Sequence, residues 1–208
     1  MNPVCSYHDF LEFLRYSSDN RDKLIPVLLI KPSTILHLNR EGMLDHHFDY
    51  FDRRSGENVQ FFLPGYAHYP SLDFAEIFPN VRPYSKDAVA LTTRRLGKIY
   101  YSERAFVEFI EKMEDSSPDF IYRGDTELLF IKYVANTDYK IGSFDFCNIQ
   151  RYNLSRLFYS QNIDEIPYNM QLRRISHFLE DVIFEMRRAT KNDDELISSI
   201  NSRYNMEL

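Results

Sequence analysis

The acidic run after Leu44 contains side chains whose types and spacing could hold a metal ion. Asp45, Asp49 and Asp52 are spaced i, i+4 and i+7, and His46 stands beside the first of them. On a helix, this spacing places the three carboxylates on one face. Carboxylates so grouped could bind Mg²⁺ or Mn²⁺ through oxygen, with the imidazole as a further ligand.

The alternative interpretation is that this acidic face is an ordinary solvated one. Leu44, His47, Phe48 and Phe51 form the opposite, apolar stripe, which is the side that an amphipathic helix buries. A charged face opposite an apolar stripe is the default pattern of such helices. We therefore predict no cofactor, and a divalent cation only if the chain is a metal-dependent hydrolase.

A second group of candidate residues follows the Pro64–Gly65 turn signal: Tyr66, His68 and Tyr69. Loops that follow a buried strand collect at one edge of an α/β sheet, where ligands usually bind. The tyrosines could stack on a base or a sugar, and His68 could transfer protons near neutral pH. Alternatively, the rings cap the end of the core or meet a protein partner, because tyrosine is common at interfaces.

A third group consists of Asp119, Asp138 and Lys140, in Pro-Asp and Asp-Tyr-Lys contexts. This pattern resembles that of restriction-type metal-dependent nucleases, and the resemblance implies that the carboxylates hold a divalent ion and the lysine assists the attacking water. The sequence departs from that pattern at Phe130, which stands two residues before Lys132 where a carboxylate is expected.

Composition and missing motifs exclude several classes of function. No phosphate-binding glycine loop, dinucleotide fingerprint or G-x-S-x-G elbow is present, which argues against ordinary NTPases, Rossmann dehydrogenases and α/β-hydrolases. The net charge of −6 disfavours an extended nucleic-acid groove. Two cysteines cannot form a disulfide framework, and we find no leader or membrane-spanning apolar run. We therefore expect a cytoplasmic protein without membrane attachment.

These candidates must be positioned by a small set of elements. Consecutive apolar residues at 24–30 predict a central strand covered on both faces, and Val59 to Leu63 predicts another before the turn. Ser102 is expected to cap a helix whose apolar residues recur at helical spacing. Residues 119–122 and 127–134 are predicted to form a hairpin around the intervening Arg-Gly-Asp-Thr.

The predicted fold class is α/β, with a mixed or mostly parallel central sheet flanked by helices and a helical C-terminal tail. We divide the chain into an α/β core domain at 1–150 and a helical extension at 151–208, packed on the core or on a partner. Its predicted function is that of an accessory binding module. It would engage a protein partner, a second copy or a small ligand such as a nucleotide through the aromatic loop. A metal-dependent hydrolase or nuclease using the Asp/His cluster is the alternative.

Overall fold

The structure is a computed structural model, and it describes most of the chain in segments. The described residues are 2–4, 6–17, 22–30, 53–54, 59, 61–67, 89–93, 97–117, 119–136, 138, 142–154, 156, 168–188 and 193–204. Predictions that fall on other residues lie outside this description.

Eight strands and four helices are found in the described residues. In chain order they are β1 (Asn2–Val4), α1 (Tyr7–Ser17), β2 (Lys23–Leu29), β3 (Phe62–Pro64), β4 (Tyr66–Ala67), β5 (Val89–Thr93), β6 (Gly97–Tyr101), α2 (Glu103–Ser116), β7 (Glu127–Val134), β8 (Ser143–Asn153), α3 (Tyr168–Arg188) and α4 (Asp193–Tyr204).

The main sheet has five strands in the order β1-β3-β2-β7-β8, and a smaller sheet has the order β4-β6-β5. In the main sheet β3 pairs parallel with both β1 and β2, whereas β7 pairs antiparallel with β2 and β8. The α/β class with a mixed sheet is therefore confirmed. Strand β2 is the central strand, as its consecutive apolar residues predict, and residues 25–29 are all buried.

Sequence and structure agree on α2. The Ser102 hydroxyl accepts a hydrogen bond from the Ala105 amide at 3.3 Å, which satisfies one of the free N–H groups of the first turn. Phe106, Phe109 and Met113 on the predicted stripe are buried. The helix therefore begins at the predicted residue and buries the predicted face.

The hairpin predicted around residues 123–126 is wrong. Residues 119–122 form no strand, and β7 makes its hairpin with the following strand, β8, in a register that pairs Val134 with Ser143. The Phe120 ring lies 6.2 Å from the Phe146 ring of β8. The Tyr122 amide donates to the Glu114 carboxylate at 2.8 Å rather than to a strand partner. Residues 119–122 are thus held by side-chain packing and by this hydrogen bond, and not by backbone hydrogen bonds to a neighbouring strand.

The two C-terminal helices pack against β8. The Phe178 ring of α3 lies 5.8 Å from the Tyr152 ring, and the Tyr152 hydroxyl donates to Asn201 Oδ1 of α4 at 2.9 Å. Phe178 and Val182 belong to the same buried cluster as the residues of β2 and β7. The boundary predicted at residue 150 falls inside β8, which continues to Asn153.

Within the described part of the chain, no helix is long and apolar enough to cross a membrane.

Candidate functional site

The predicted aromatic loop follows β3. At one edge of the main sheet, the end of β3 lies beside the ends of other strands. Val27 of β2 is level with Phe62 of β3 in the parallel pairing, so β2 and β3 end side by side. Leu29 pairs with Glu127 at the start of β7, and Glu127 pairs with Asn153 at the end of β8. The carboxyl ends of β2 and β3 therefore adjoin the ends of two further strands, which is the position that ligands favour in α/β sheets.

The turn after β3 is held closely against the start of α2. Gly65 has a φ of +85°, a left-handed conformation that glycine adopts without strain. A Cβ atom at this position would lie 2.8 Å from Cε2 of Tyr101 and 2.9 Å from Cβ of Phe106. The Gly65 carbonyl accepts a hydrogen bond from the Ser102 amide at 2.8 Å. The turn thus needs glycine for two reasons, its φ and the space available.

A row of aromatic rings runs from this turn across the edge. The centroid distances are 5.1 Å from Tyr66 to Tyr101, 6.2 Å from Tyr101 to Phe106 and 5.6 Å from Phe106 to Tyr122. Tyr66 itself is only 1% exposed. Burial raises the pKa of the Tyr66 phenol well above its ordinary value, and the neighbouring Tyr101 raises it further. This placement agrees with the interpretation that the Tyr66 ring caps the end of the core.

A buried ion pair lies beside the rings. Glu127 is 2% exposed, and Nη2 of Arg151 donates to its Oε2 at 2.6 Å. The same nitrogen donates to the Ile121 carbonyl at 3.0 Å. The Arg151 side chain keeps 28% of its surface exposed. Arg151 therefore contacts the buried Glu127 carboxylate and is itself partly exposed to solvent at this edge of the sheet.

Side-chain hydrogen bonds hold the loop between α2 and β7 in position. The Tyr122 hydroxyl donates to the Asp125 carbonyl at 2.8 Å, and Asn153 Nδ2 donates to the Asp125 carboxylate at 2.8 Å. Burial raises the pKa of Tyr122, and the nearby carboxylates of Glu127 and Asp125 raise it further. Tyr122 is therefore a neutral hydrogen-bond donor near pH 7 and not a general base.

We call this region the β3 edge, because it lies at the edge of the main sheet where β3 ends. It is defined by Gly65, Tyr66, Tyr122, Asp125, Glu127, Arg151 and Asn153. Buried aromatic rings lie beside partly exposed hydrogen-bond donors and acceptors. Hydrogen bonds among these polar groups hold them in position. Ligand sites are typically apolar surfaces that carry a few fixed polar groups. The region therefore presents hydrogen-bond donors and acceptors beside buried aromatic rings.

The other candidate residues are distributed as follows. Asp45, His46, Asp49, Asp52, His68, Tyr69 and Lys140 lie outside the described residues. Asp119 and Asp138 are both exposed. Asp119 precedes Phe120, whose ring packs beneath the Arg151 guanidinium at 5.2 Å, whereas Asp138 follows β7 in its connection to β8. Among the described side chains, no three His, Cys, Asp or Glu residues are grouped so that they could hold a metal ion.

Sequence reasoning missed Glu127 and Arg151. The signal available was a lone carboxylate at the start of the apolar run 127–134, since a buried charge requires a partner. Its partner lies 24 residues further along the chain, and no local pattern connects the two.

Comparison with protein-family models, curated proteins and solved structures gave no match to this chain.

Proposed function

We propose that this chain is a binding module and that the segment following β3 presents its ligand-contacting residues at the β3 edge. Tyr66 lies in strand β4, where it pairs with Tyr101, and not in a loop as predicted. His68 and Tyr69 would contact the ligand, and Tyr66 would serve as the buried anchor of the segment that bears them. The observation that carries the proposal is the fit of Gly65 between Tyr101 and Phe106, where even a methyl group would collide. Because Gly65 and the following strand β4 are fixed, the segment that bears His68 and Tyr69 starts from a defined position. This favours binding, because less conformational freedom is lost when the ligand binds.

The polar network supports a small polar ligand over a flat protein surface. Arg151 and Asn153 supply N–H donors, and Asp125 supplies acceptor oxygens. Arg151 is held by its bonds to Glu127 and to the Ile121 carbonyl, and Asn153 is held by its bond to Asp125. Such fixed donors and acceptors recognise a ligand that carries both kinds of group, as a nucleotide does. The partly exposed Tyr122 offers a ring of the kind on which a base stacks.

The test is thermal unfolding of the purified chain with nucleotides and, separately, with divalent cations. A ligand present at 100 times its dissociation constant stabilises the folded state by about 2.7 kcal/mol, or several degrees for a chain of this size. We expect a nucleotide to produce this shift in the wild type. His68→Ala and Tyr69→Ala should lose the shift.

The matched control is Arg104→Ala, which removes an exposed side chain on α2 and should keep the shift. A shift with Mg²⁺ or Mn²⁺ alone would contradict the proposal in favour of the metal-dependent hydrolase, and Asp45 and Asp49 would then be substituted next. No shift with any probe would contradict a small ligand.

A further inference from the structure

Part of the Arg151 guanidinium group at the β3 edge is left without a hydrogen-bond acceptor. Nη2 donates to Oε2 of Glu127 at 2.6 Å and to the Ile121 carbonyl at 3.0 Å, which uses both of its N–H groups. The described part of the chain provides no acceptor for Nε or Nη1 of this residue. Because 28% of the side chain is exposed, a ligand can reach these donors from solvent.

The nitrogen that is already bound belongs to both forks of the guanidinium group. A guanidinium group binds a phosphate or a carboxylate most strongly through two parallel N–H bonds from neighbouring nitrogens. One such fork consists of Nε and Nη2, and the other consists of Nη1 and Nη2. Since both hydrogens of Nη2 are used, neither fork can close on an anion. Each remaining N–H group can make a single bond, which suits a carbonyl or hydroxyl oxygen.

Asp125 offers the complementary acceptor. Nδ2 of Asn153 donates to its Oδ2 at 2.8 Å, and Asn153 is itself held because its Oδ1 accepts from the Arg156 amide at 2.8 Å. Asp125 is half-buried, and no donor among the described residues bonds to its Oδ1. A carboxylate oxygen only accepts, so the ligand must supply a donor such as a hydroxyl group.

The strand spacing and one aromatic ring define the size of the ligand. Arg151 and Asn153 are two residues apart on β8, so their side chains share one face and start about 7 Å apart. The Tyr122 hydroxyl donates to the Asp125 carbonyl at 2.8 Å, which places its partly exposed ring beside the acceptor. A ligand that meets all three groups therefore carries a flat ring, an acceptor and a donor within about 7 Å.

The charges around these groups disfavour an anionic ligand. The charge of Arg151 is balanced by Glu127, and the Asp125 carboxylate is additional to this pair. Glu114, whose carboxylate accepts a hydrogen bond from the same loop at 2.8 Å, adds a further negative charge. Arg123 of this loop is exposed, so water and salt screen its charge. A phosphate brought to this site is therefore repelled by the nearby carboxylates.

Given that the β3 edge binds a small ligand, as proposed above, we infer that this ligand is an uncharged nucleoside, bound through its base and its ribose hydroxyls. The ribose hydroxyls donate to Asp125, a carbonyl oxygen of the base accepts from Arg151, and the base stacks on Tyr122. A phosphate on the ligand adds no contact. A simple amine would satisfy Asp125 but would leave the Arg151 donors and the Tyr122 ring without a role.

The experiment is isothermal titration calorimetry of the full chain with uridine and with inosine, each of which carries a carbonyl oxygen on its base. Matched titrations use the corresponding 5′-monophosphates, 5′-triphosphates and 2′,3′-dideoxynucleosides. We expect each nucleoside to bind at least as tightly as its monophosphate and about threefold more tightly than its triphosphate. Loss of the ribose hydroxyls should weaken binding about tenfold, because Asp125 then loses its charge-assisted hydrogen bonds.

Substitution of Asp125 separates recognition of the ribose from a purely structural role. Asp125→Asn keeps an oxygen that accepts from Asn153 but removes the charge. It should weaken uridine binding about tenfold, leave dideoxyuridine binding unchanged and reduce the discrimination against the triphosphate. The matched control is Asp119→Asn, which removes the same charge from an exposed position in the same loop and should change affinity about twofold or less. The melting temperature of each variant checks that it folds.

Tighter binding of the monophosphates than of the nucleosides would overturn this inference and leave the proposed function standing. Equal affinity for the dideoxynucleosides would also overturn it, because Asp125 would then not recognise the ribose. Equal weakening by Asp125→Asn and Asp119→Asn would have the same meaning. If neither nucleosides nor nucleotides bind, the proposed function fails together with the inference.

Discussion

Gly65 and Tyr101 approach so closely that a Cβ atom on Gly65 would lie 2.8 Å from a carbon of the Tyr101 ring. Gly65 lies between β3 of the large sheet and β4 of the small sheet, and Tyr101 ends β6, which pairs with β4. Their contact joins the small sheet to the carboxyl edge of the large one. The residues predicted to contact the ligand, His68 and Tyr69, follow β4 directly after this contact.

Gly65→Ala should lower the free energy of unfolding by about 3 kcal/mol. About 1 kcal/mol of this comes from the positive φ and the remainder from the collision with Tyr101 and Phe106. Gly124→Ala is the matched control, because Gly124 has a φ of +78° with no atom within 4 Å of the added carbon. It should cost only about 1 kcal/mol. Urea unfolding of both variants measures the difference, and equal losses would show that the close approach does not matter.

Arg151→Met should destabilise the fold by about 3–5 kcal/mol, because it leaves the Glu127 carboxylate buried without its partner. The double variant E127L/R151M removes both charges and should recover most of this loss. Lys112→Met, which breaks an exposed pair with Asp115, should cost less than about 1 kcal/mol. Chemical denaturation gives all three values. A double variant as unstable as Arg151→Met would contradict this account of the pair.

Tyr152→Phe should cost about 1–2 kcal/mol at pH 7, because the buried Asn201 side chain loses its hydrogen-bond donor. In a double-mutant cycle with Asn201→Leu, we expect a coupling energy of about 1 kcal/mol. Equilibrium unfolding of the wild type and the three variants tests this. Strictly additive losses would mean that the hydrogen bond does not hold α4 to β8.

The same phenol predicts a dependence of stability on alkaline pH. Burial raises the pKa of Tyr152 from 10.0 to about 12. The unfolded chain then releases the phenolic proton near pH 10, whereas the folded chain keeps it until about pH 12. The contribution of this group is complete below pH 10 and is lost as the pH rises from 10 to 12. Across this interval the melting temperature of the wild type should fall more steeply than that of Tyr152→Phe, and parallel curves would contradict the prediction.

Arg203→Met should loosen α4, because Arg203 pairs with Asp181 and with the buried Glu185 of α3. Loss of the cation leaves Glu185 without its partner and should cost about 2–3 kcal/mol. Hydrogen exchange should speed up first in the amides of residues 193–204, while the amides of β2 stay protected. Uniform acceleration over both elements would mean that α4 is not a separate cooperative unit.

Local sequence patterns predicted a helix or strand correctly where the signal lies within that element. The consecutive apolar residues of 24–30 predict a strand buried on both faces, and β2 (Lys23–Leu29) is that strand. Ser102 predicts the start of a helix because its hydroxyl can satisfy a free amide of the first turn, and it does so at Ala105. The α/β class follows from such signals taken together.

Only the tertiary structure decided what the elements pair with. Residues 119–122 have the composition of a strand, yet Phe120 packs on Phe146 and the backbone takes side-chain partners instead. The ion pair of Glu127 with Arg151 arises because β7 and β8 are antiparallel neighbours, which brings residues 24 positions apart to one end of the sheet. Strand order and long-range ion pairs depend on which surfaces complement each other after folding. Local sequence periodicity does not indicate which strands or which charged residues will pair.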